Sequence, residues 1–161
     1  MAVKGSVPAV GVIVPHVVVR DCAEAVNFYT RAFAAKILYR SKSPSGQGEH
    51  LHLKMWASLV QVSSEEPNQD RALASPATLG GTTCVFQIGV PDVDAAYDRA
   101  VESGATPTLP PTDMFWGDRY AWVRDPFGHM WALCTTREVL TSDQVTERMQ
   151  GEFGTEPSIS G

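Results

Sequence analysis

The spacing of apolar residues along this chain changes from strand-like to helical and back, and it does so twice. Val10–Val19 is a β-branched run, the mark of a mostly buried strand. Asp21 and Glu24 then stand as N-cap and third residue of a capping box. Behind them Ala25, Val26, Phe28, Tyr29 and Phe33 fall at helical spacing, which predicts a helix to about Phe33. Lys36–Tyr39 reads as a short strand, Ser41–Gly48 as a polar loop, and His50–Met55 with Leu59–Val62 as a hairpin. Ser63–Leu79 has no period and many turn formers, so a linker is expected there, long for a loop inside one compact unit.

The same order then returns. Thr83–Val90 predicts a strand, and Asp92 caps a helix to about Ser103 with Val93, Ala96, Tyr97 and Ala100 facing inward. Gly104 ends it, and Pro107–Leu109 is extended. Tyr120–Val123 and His129–Cys134 read as strands joined by Asp125-Pro126-Phe127-Gly128, which is turn chemistry. Val19-x-Asp21 and Val90-x-Asp92 are offset by 71 residues, each opening a strand-to-helix junction followed by three more strands. The pattern predicts an α+β chain of two βαβββ units, residues 10–64 and 82–138, joined by a linker at 65–81. In 139–161, Thr141 and Gln144 predict the cap of a short helix with Val145 and Met149 on one face. The polar tail beyond Gly151 is expected to be disordered.

Composition narrows the function. At 161 residues the chain can bury a real core. Its net charge of −5 and lack of a basic run argue against nucleic acid as a partner. Cys22, Cys84 and Cys134 are widely spaced and form no CxxC, so free thiols in a reducing compartment fit better than a disulfide or zinc scaffold. The apolar opening Val7–Val19 is broken by Pro8, Gly11, Pro15 and His16, lacks a signal-peptide pattern and is too short to span a bilayer. A cytoplasmic protein without a membrane partner is expected.

The stretches VVVRDCAEAVNFYTRAF and MFWGDRYAWVRDPFGHMWAL, within a repeat running from Gly11 to Thr135, resemble the vicinal oxygen chelate superfamily. That superfamily includes glyoxalase I, bleomycin-resistance proteins, extradiol dioxygenases and methylmalonyl-CoA epimerase. The second stretch is similar to the bleomycin-resistance-like branch, with Trp-Gly before a strand and Asp-Pro-x-Gly in the last turn. The resemblance implies a cupped mixed sheet with a ligand or metal in the cup, and a homodimer. It also implies four metal-ligand positions, which fall at Val14, Gln61, about Val85 and Ala132 when matched through Asp21. None is a His or carboxylate, so no metal cofactor is expected at that position.

Alternation supplies candidate site residues of its own. Leu51, Leu53 and Met55 occupy one face of their strand, and His50, His52 and Lys54 the other. Gln61 shares the second face, as does His16, two residues from the implied first-strand position. His-x-His puts two imidazoles about 7 Å apart at Cα, a spacing that serves a divalent metal or simply two solvated polar groups. In the second unit Phe115, Trp116 and Tyr120 gather around Gly117-Asp118-Arg119, either lining a pocket for a flat molecule or filling the core. Asp118 and Arg119 either orient a polar ligand or form a surface ion pair. Trp131 falls on the packed face, Trp122 on either, and His129 beside the turn reads as structural. The expected role is to bind a small, flat, amphiphilic drug or metabolite through Trp116, His16, His50, His52, Gln61, Phe115, Tyr120 and Arg119. The competing readings are a lyase, isomerase or dioxygenase using His16, His50 and His52 as metal ligands or acid–base groups, and a non-catalytic domain whose cup is filled by its own side chains.

Overall fold

The structure, a computed structural model, describes residues 11–66 and 73–154. Strand β1 (His16–Val19), helix α1 (Cys22–Phe33) and strands β2 (Lys36–Lys42), β3 (Glu49–Met55) and β4 (Ser58–Ser64) come first. A short helix α2 (Pro76–Leu79) leads to β5 (Val85–Gly89), α3 (Val93–Glu102), β6 (Thr106–Asp113), β7 (Asp118–Arg124), β8 (Met130–Thr136) and α4 (Ser142–Phe153). The strands form two sheets, ordered β1-β4-β3-β2 and β5-β8-β7-β6. In each, the first strand runs parallel to the last and the other pairs are antiparallel. The fold is α+β, with the strand–helix–three-strand order used twice. Among the described residues no helix is long and apolar enough to cross a membrane.

Local chemistry sets the helix starts where the sequence places them. Asp21 is extended and its carboxylate accepts from the Ala23 and Glu24 amides at 2.7 and 3.0 Å. Asp92 accepts from Ala95 N at 3.1 Å, and Thr141 and Gln144 complete a reciprocal capping box. Helices α1 and α3 and the inner faces of both sheets share one core. Val17, Val19, Leu51, Leu53 and Val62 meet Phe28, Tyr29 and Phe33 of α1, with Val93, Ala96, Val123, Trp131 and Leu133 from the second unit. Full burial of each large side chain contributes about 1.5–3 kcal/mol, so this shared core welds the units together.

Polar latches cross the same boundary. The Tyr29 hydroxyl donates to Asp125 at 2.8 Å, and the Arg99 Nε–H donates to the Ala32 carbonyl at 2.9 Å. The His129 ring bonds the Val18 carbonyl at 2.9 Å, giving a partner to a group on short β1. Asp125 accepts in all from Tyr29, the Trp131 indole and the amides of Phe127 and His129. Gly128 follows with φ of +93°, and a β-carbon there would stand 2.7 Å from the Ala77 amide nitrogen. The turn thus needs glycine for both conformation and close approach.

Several boundaries differ from the sequence pattern. The first strand begins at His16 rather than Val10: Val12 and Ile13 are exposed, and residue 10 lies outside the described residues. The linker carries structure at both ends, because β4 runs to Ser64 and Ser75 caps α2. Ala77 N of α2 donates to the Phe127 carbonyl, which docks the segment on the last turn. Pro107–Leu109 is the centre of a longer, irregular β6. Helix α4 passes through Gly151 to Phe153, and the tail beyond residue 154 lies outside the described residues.

Candidate functional site

With α1 and α3 packed on one side of the sheets, the candidate residues fall on the other face of each. On the first sheet the ladder sets Gln61 beside His16 on one flank and His52 on the other, and His50 beside Ser63. Leu51 and Leu53 are buried beneath. The three histidines therefore come together as the alternation predicts. The His50 and His52 Nε2 atoms are 3.1 Å apart, so one donates to the other. The His16 and His50 rings meet edge-on at 5.4 Å, and His16 Nε2 bonds the Ser63 hydroxyl at 2.9 Å. Tyr39 of β2 packs against His52 at 5.4 Å.

Crowding changes the chemistry of these rings. Burial, then the nearby His52, lowers the pKa of His16. Burial, then His16 and His52, lowers that of His50. Both rings are therefore held neutral at pH 7, able to donate and to accept. Among the described residues no three His, Cys, Asp or Glu are arranged to hold a metal ion.

On the second sheet the open face carries an aromatic row. Phe115 and Trp116 meet edge-on at 4.9 Å, Trp116 and Tyr120 at 5.7 Å, and Tyr120 and Trp122 at 6.4 Å. Phe153 of α4 extends the row, 5.8 Å from Phe115. Asp118 accepts from the Trp116 indole N–H at 3.1 Å and so fixes that ring. The Tyr120 hydroxyl donates to Gln87 Oε1 at 3.2 Å, and Gln87 Nε2 donates to Cys134 Sγ at 3.4 Å. Burial raises the pKa of the Cys134 thiol, which keeps it protonated at neutral pH. The Trp122 indole N–H is buried and finds no acceptor among the described residues. Gly117, with φ of +96°, lets the loop pass tight against the Glu138 carbonyl, 2.5 Å from where a β-carbon would sit.

Arg119 does not join this row. It alternates to the other face of β7, where it grips Asp94 of α3 through both carboxylate oxygens at 2.6 and 2.7 Å and Asp113 at 3.1 Å. It acts as a brace between α3 and β7. Trp131 is fully packed against Tyr29, Phe33 and Phe86, and His129 is buried as a tie to β1. Gln87 was missed by the sequence reading. The alternation of Phe86, Gln87 and Ile88 puts Gln87 outward, but only the β5–β8 pairing brings it to Cys134 and Tyr120.

The ladder also locates the four implied ligand positions. Val14 precedes β1 without a strand partner, and Val85 pairs with Met130 rather than with Ala132. The residues flanking Gln61 and Ala132 are His16 and Gln87. The set that the ladder puts in register, His16, Gln61, Gln87 and Ala132, offers one imidazole and two amides but no carboxylate. Two cavities lie nearby. One of about 410 Å³ runs along the seam between β5 and the Pro15, Ala57 and Val60 region of the first sheet, with Gln87 in its wall. The other, about 530 Å³, lies under α4 and is lined largely by charges that already pair, Arg119 with Asp113 and Arg148 with Glu138.

Comparison with known proteins matches residues 10–133 to the model of the glyoxalase/bleomycin resistance protein/dioxygenase superfamily. An uncharacterized protein of Mycobacterium bovis is 37% identical over 139 residues, covering 86% of this chain and 91% of its own. The crystal structure of TioX from Micromonospora aligns with a TM-score of 0.59 at 28% identity, covering 77% of this chain and 97% of that one. The Listeria monocytogenes fosfomycin resistance protein FosX, solved with Mn(II) and sulfate, shares the fold at 14% identity and a TM-score of 0.59, covering 88% and 98% of the two chains.

Proposed function

This chain belongs to the glyoxalase/bleomycin resistance protein/dioxygenase superfamily, and from that premise we propose that it binds a small, flat, amphiphilic molecule across the open faces of its sheets, as a homodimer that sequesters a drug or metabolite. The observation that carries this reading is the row of Phe115 and Trp116 in the β6–β7 loop with Tyr120 and Trp122 of β7, half-buried and outside the shared core. Aromatic rings in such a row present stacking surface, and Asp118 and Gln87 hold two of them in place, so little ordering is needed on binding. Polar groups converge at the margins: the histidine trio on one sheet and the Gln87–Tyr120 pair on the other. The family's metal is not part of the reading: the positions in register with Gln61 and Ala132 are His16 and Gln87, a set with one imidazole, two amides and no carboxylate.

Titration of the neutral planar probe N-phenyl-1-naphthylamine, followed by its own fluorescence and by quenching of tryptophan, tests the proposal. Saturable binding is expected, and Trp116→Ala should weaken it about 2–10-fold, the equivalent of one aromatic pair of about 0.5–1.5 kcal/mol. Absence of saturable binding, or an unchanged affinity in Trp116→Ala together with Tyr120→Leu, would overturn it.

A further inference from the structure

One donor in the aromatic row, the buried Trp122 indole N–H, finds no acceptor among the described residues. Trp122 stands on β7 between Leu109 of β6 and Ala132 of β8, and Ala132 pairs in turn with Gln87 of β5. These four residues make one rung of the second sheet. Their neighbours Phe86, Ala121, Val123, Trp131 and Leu133 point into the shared core, so Gln87, Ala132 and Trp122 lie on the opposite face. Gln87 Oε1, the side-chain acceptor of this rung, already takes the Tyr120 hydroxyl at 3.2 Å. Asp118, farther along the same face of β7, takes the Trp116 indole. A donor left dry and unpaired is costly, because its bond to water is lost and nothing replaces it. The other indoles set the contrast. Trp116 and Trp131 donate to Asp118 and Asp125 at 3.1 and 2.9 Å. Trp56, in the β3–β4 turn, is buried and unpaired among the described residues like Trp122, but it packs against the shared core.

From this arrangement we propose that the ligand is an aromatic carbonyl compound, whose uncharged oxygen accepts a hydrogen bond from Trp122 Nε1–H. The inference rests on the ligand-binding reading above and adds the chemical class of the ligand. The Trp122 ring is tilted 61° to that of Tyr120. A flat molecule stacked on Tyr120 therefore presents its edge toward Trp122, and a carbonyl conjugated with a ring lies in that edge. The indole N–H is turned inward in the free protein, so the contact needs a turn about χ2, a broad torsion for tryptophan. An acceptor on the ligand favours that turn, because it relieves the unpaired donor. A charged group suits the rung poorly, since Leu109, Ala132 and the Gln87 amide cannot balance it. Arg124, on the next rung of the same face, is exposed to solvent, and Asp118 is tied to Trp116.

Two neutral probes of one outline separate the acceptor from stacking: 9-fluorenone, which carries a carbonyl, and fluorene, which has a methylene in its place. Each is titrated by displacement of N-phenyl-1-naphthylamine. The ratio of fluorenone affinity to fluorene affinity should fall about three- to tenfold in Trp122→Phe. The ratio cancels whatever stacking the variant loses, because both probes lose it alike. In the unaltered protein, nitrogen–proton NMR reads the N–H groups of all four tryptophans. Without ligand the Trp122 indole proton should resonate upfield of those of Trp116 and Trp131. Fluorenone, and not fluorene, should move it downfield while Trp56 stays in place; this arm stands even if Trp122→Phe fails to fold. An unchanged ratio in the folded variant, binding of fluorene alone, a Trp122 signal unmoved by fluorenone, or one already downfield in the free protein would overturn the carbonyl class while leaving the stacking reading intact. Failure of all three compounds to bind would overturn both.

Discussion

Asp125 is the residue on which the two units depend most. It is buried and accepts four hydrogen bonds, from the Tyr29 hydroxyl, the Trp131 indole and two amides of its own turn, so its carboxylate is satisfied without a cation. Tyr29→Phe removes one donor and should cost about 1–3 kcal/mol in urea unfolding. Asp125→Asn should cost more, because its NH₂ group brings a donor into a site built entirely of donors; equal stability for the two variants would contradict this. The histidines give a second expectation. His16 and His50 have lowered pKa values when folded, so between that value and the unfolded value of about 6.5 the unfolded chain binds more protons. Stability is therefore full above about pH 6.5 and declines as pH falls through the folded value. The lowered carboxyl pKa values of Glu49, Glu65 and Asp94 act in the same sense, but lower on the scale, below about pH 4.5. Thermal unfolding should show a drop between about pH 7 and pH 5 that His50→Gln reduces. A profile flat over that range would show that the rings are not perturbed. Of these residues the trio was legible, since period-two geometry alone puts His50 and His52 on one face. Asp125 was not, because its partner lies 96 positions away.

At the scale of the element, what the sequence showed well was whatever is decided locally. The N-caps at Asp21, Asp92 and Thr141 and the stripes of α1 and α3 follow from side chains within a turn of each other. The ladder registers do not. The implied ligand positions Val14 and Val85 assumed a pairing that β1 and β5 do not make, since the strand partners of Gln61 and Ala132 are His16 and Gln87. Arg119 went astray for the same kind of reason. Its alternation was readable, but not the presence of Asp94 on the helix behind it. The α2 segment was concealed because it has a single turn, and it is held by its cap and by the Ala77–Phe127 bond rather than by an apolar stripe. That bond gives a prediction. Gly128→Ala meets both a left-handed φ of +93° and the Ala77 nitrogen at 2.7 Å, and it should destabilise by about 1–3 kcal/mol. Gly46→Ala, with φ of +76° and open space around it, carries the conformational cost alone and should be milder. Denaturant midpoints in which Gly46→Ala is the worse of the two would show that α2 does not rest on this turn.

For the whole molecule, the repeat made the architecture readable, while the joining of the units was not, because the shared core and the Tyr29–Asp125 and His129–Val18 latches are long-range pairings. The same architecture leaves each sheet with two outer strands paired on a single side, β1 and β2 in one and β5 and β6 in the other, and of these β2 and β6 are the longest. The two differ in chemistry. β6 carries Pro107, Pro110 and Pro111, which lack N–H groups, and it is interrupted by register shifts, so its edge is a poor template for another strand. β2 has no proline and one register shift against the two of β6, and it exposes Ile37 at 45% and Tyr39 at 39%. The proposed homodimer should therefore form through β2. Ile37→Lys tests this without disturbing the core, because that side chain lies mostly outside it. Sedimentation equilibrium should give a dimer for the natural sequence and a shift toward monomer for Ile37→Lys, with circular dichroism unchanged. A dimer unaffected by Ile37→Lys would place the interface elsewhere. A natural sequence that stays monomeric at high concentration would remove the homodimer and leave the two βαβββ units to form the binding surface within one chain.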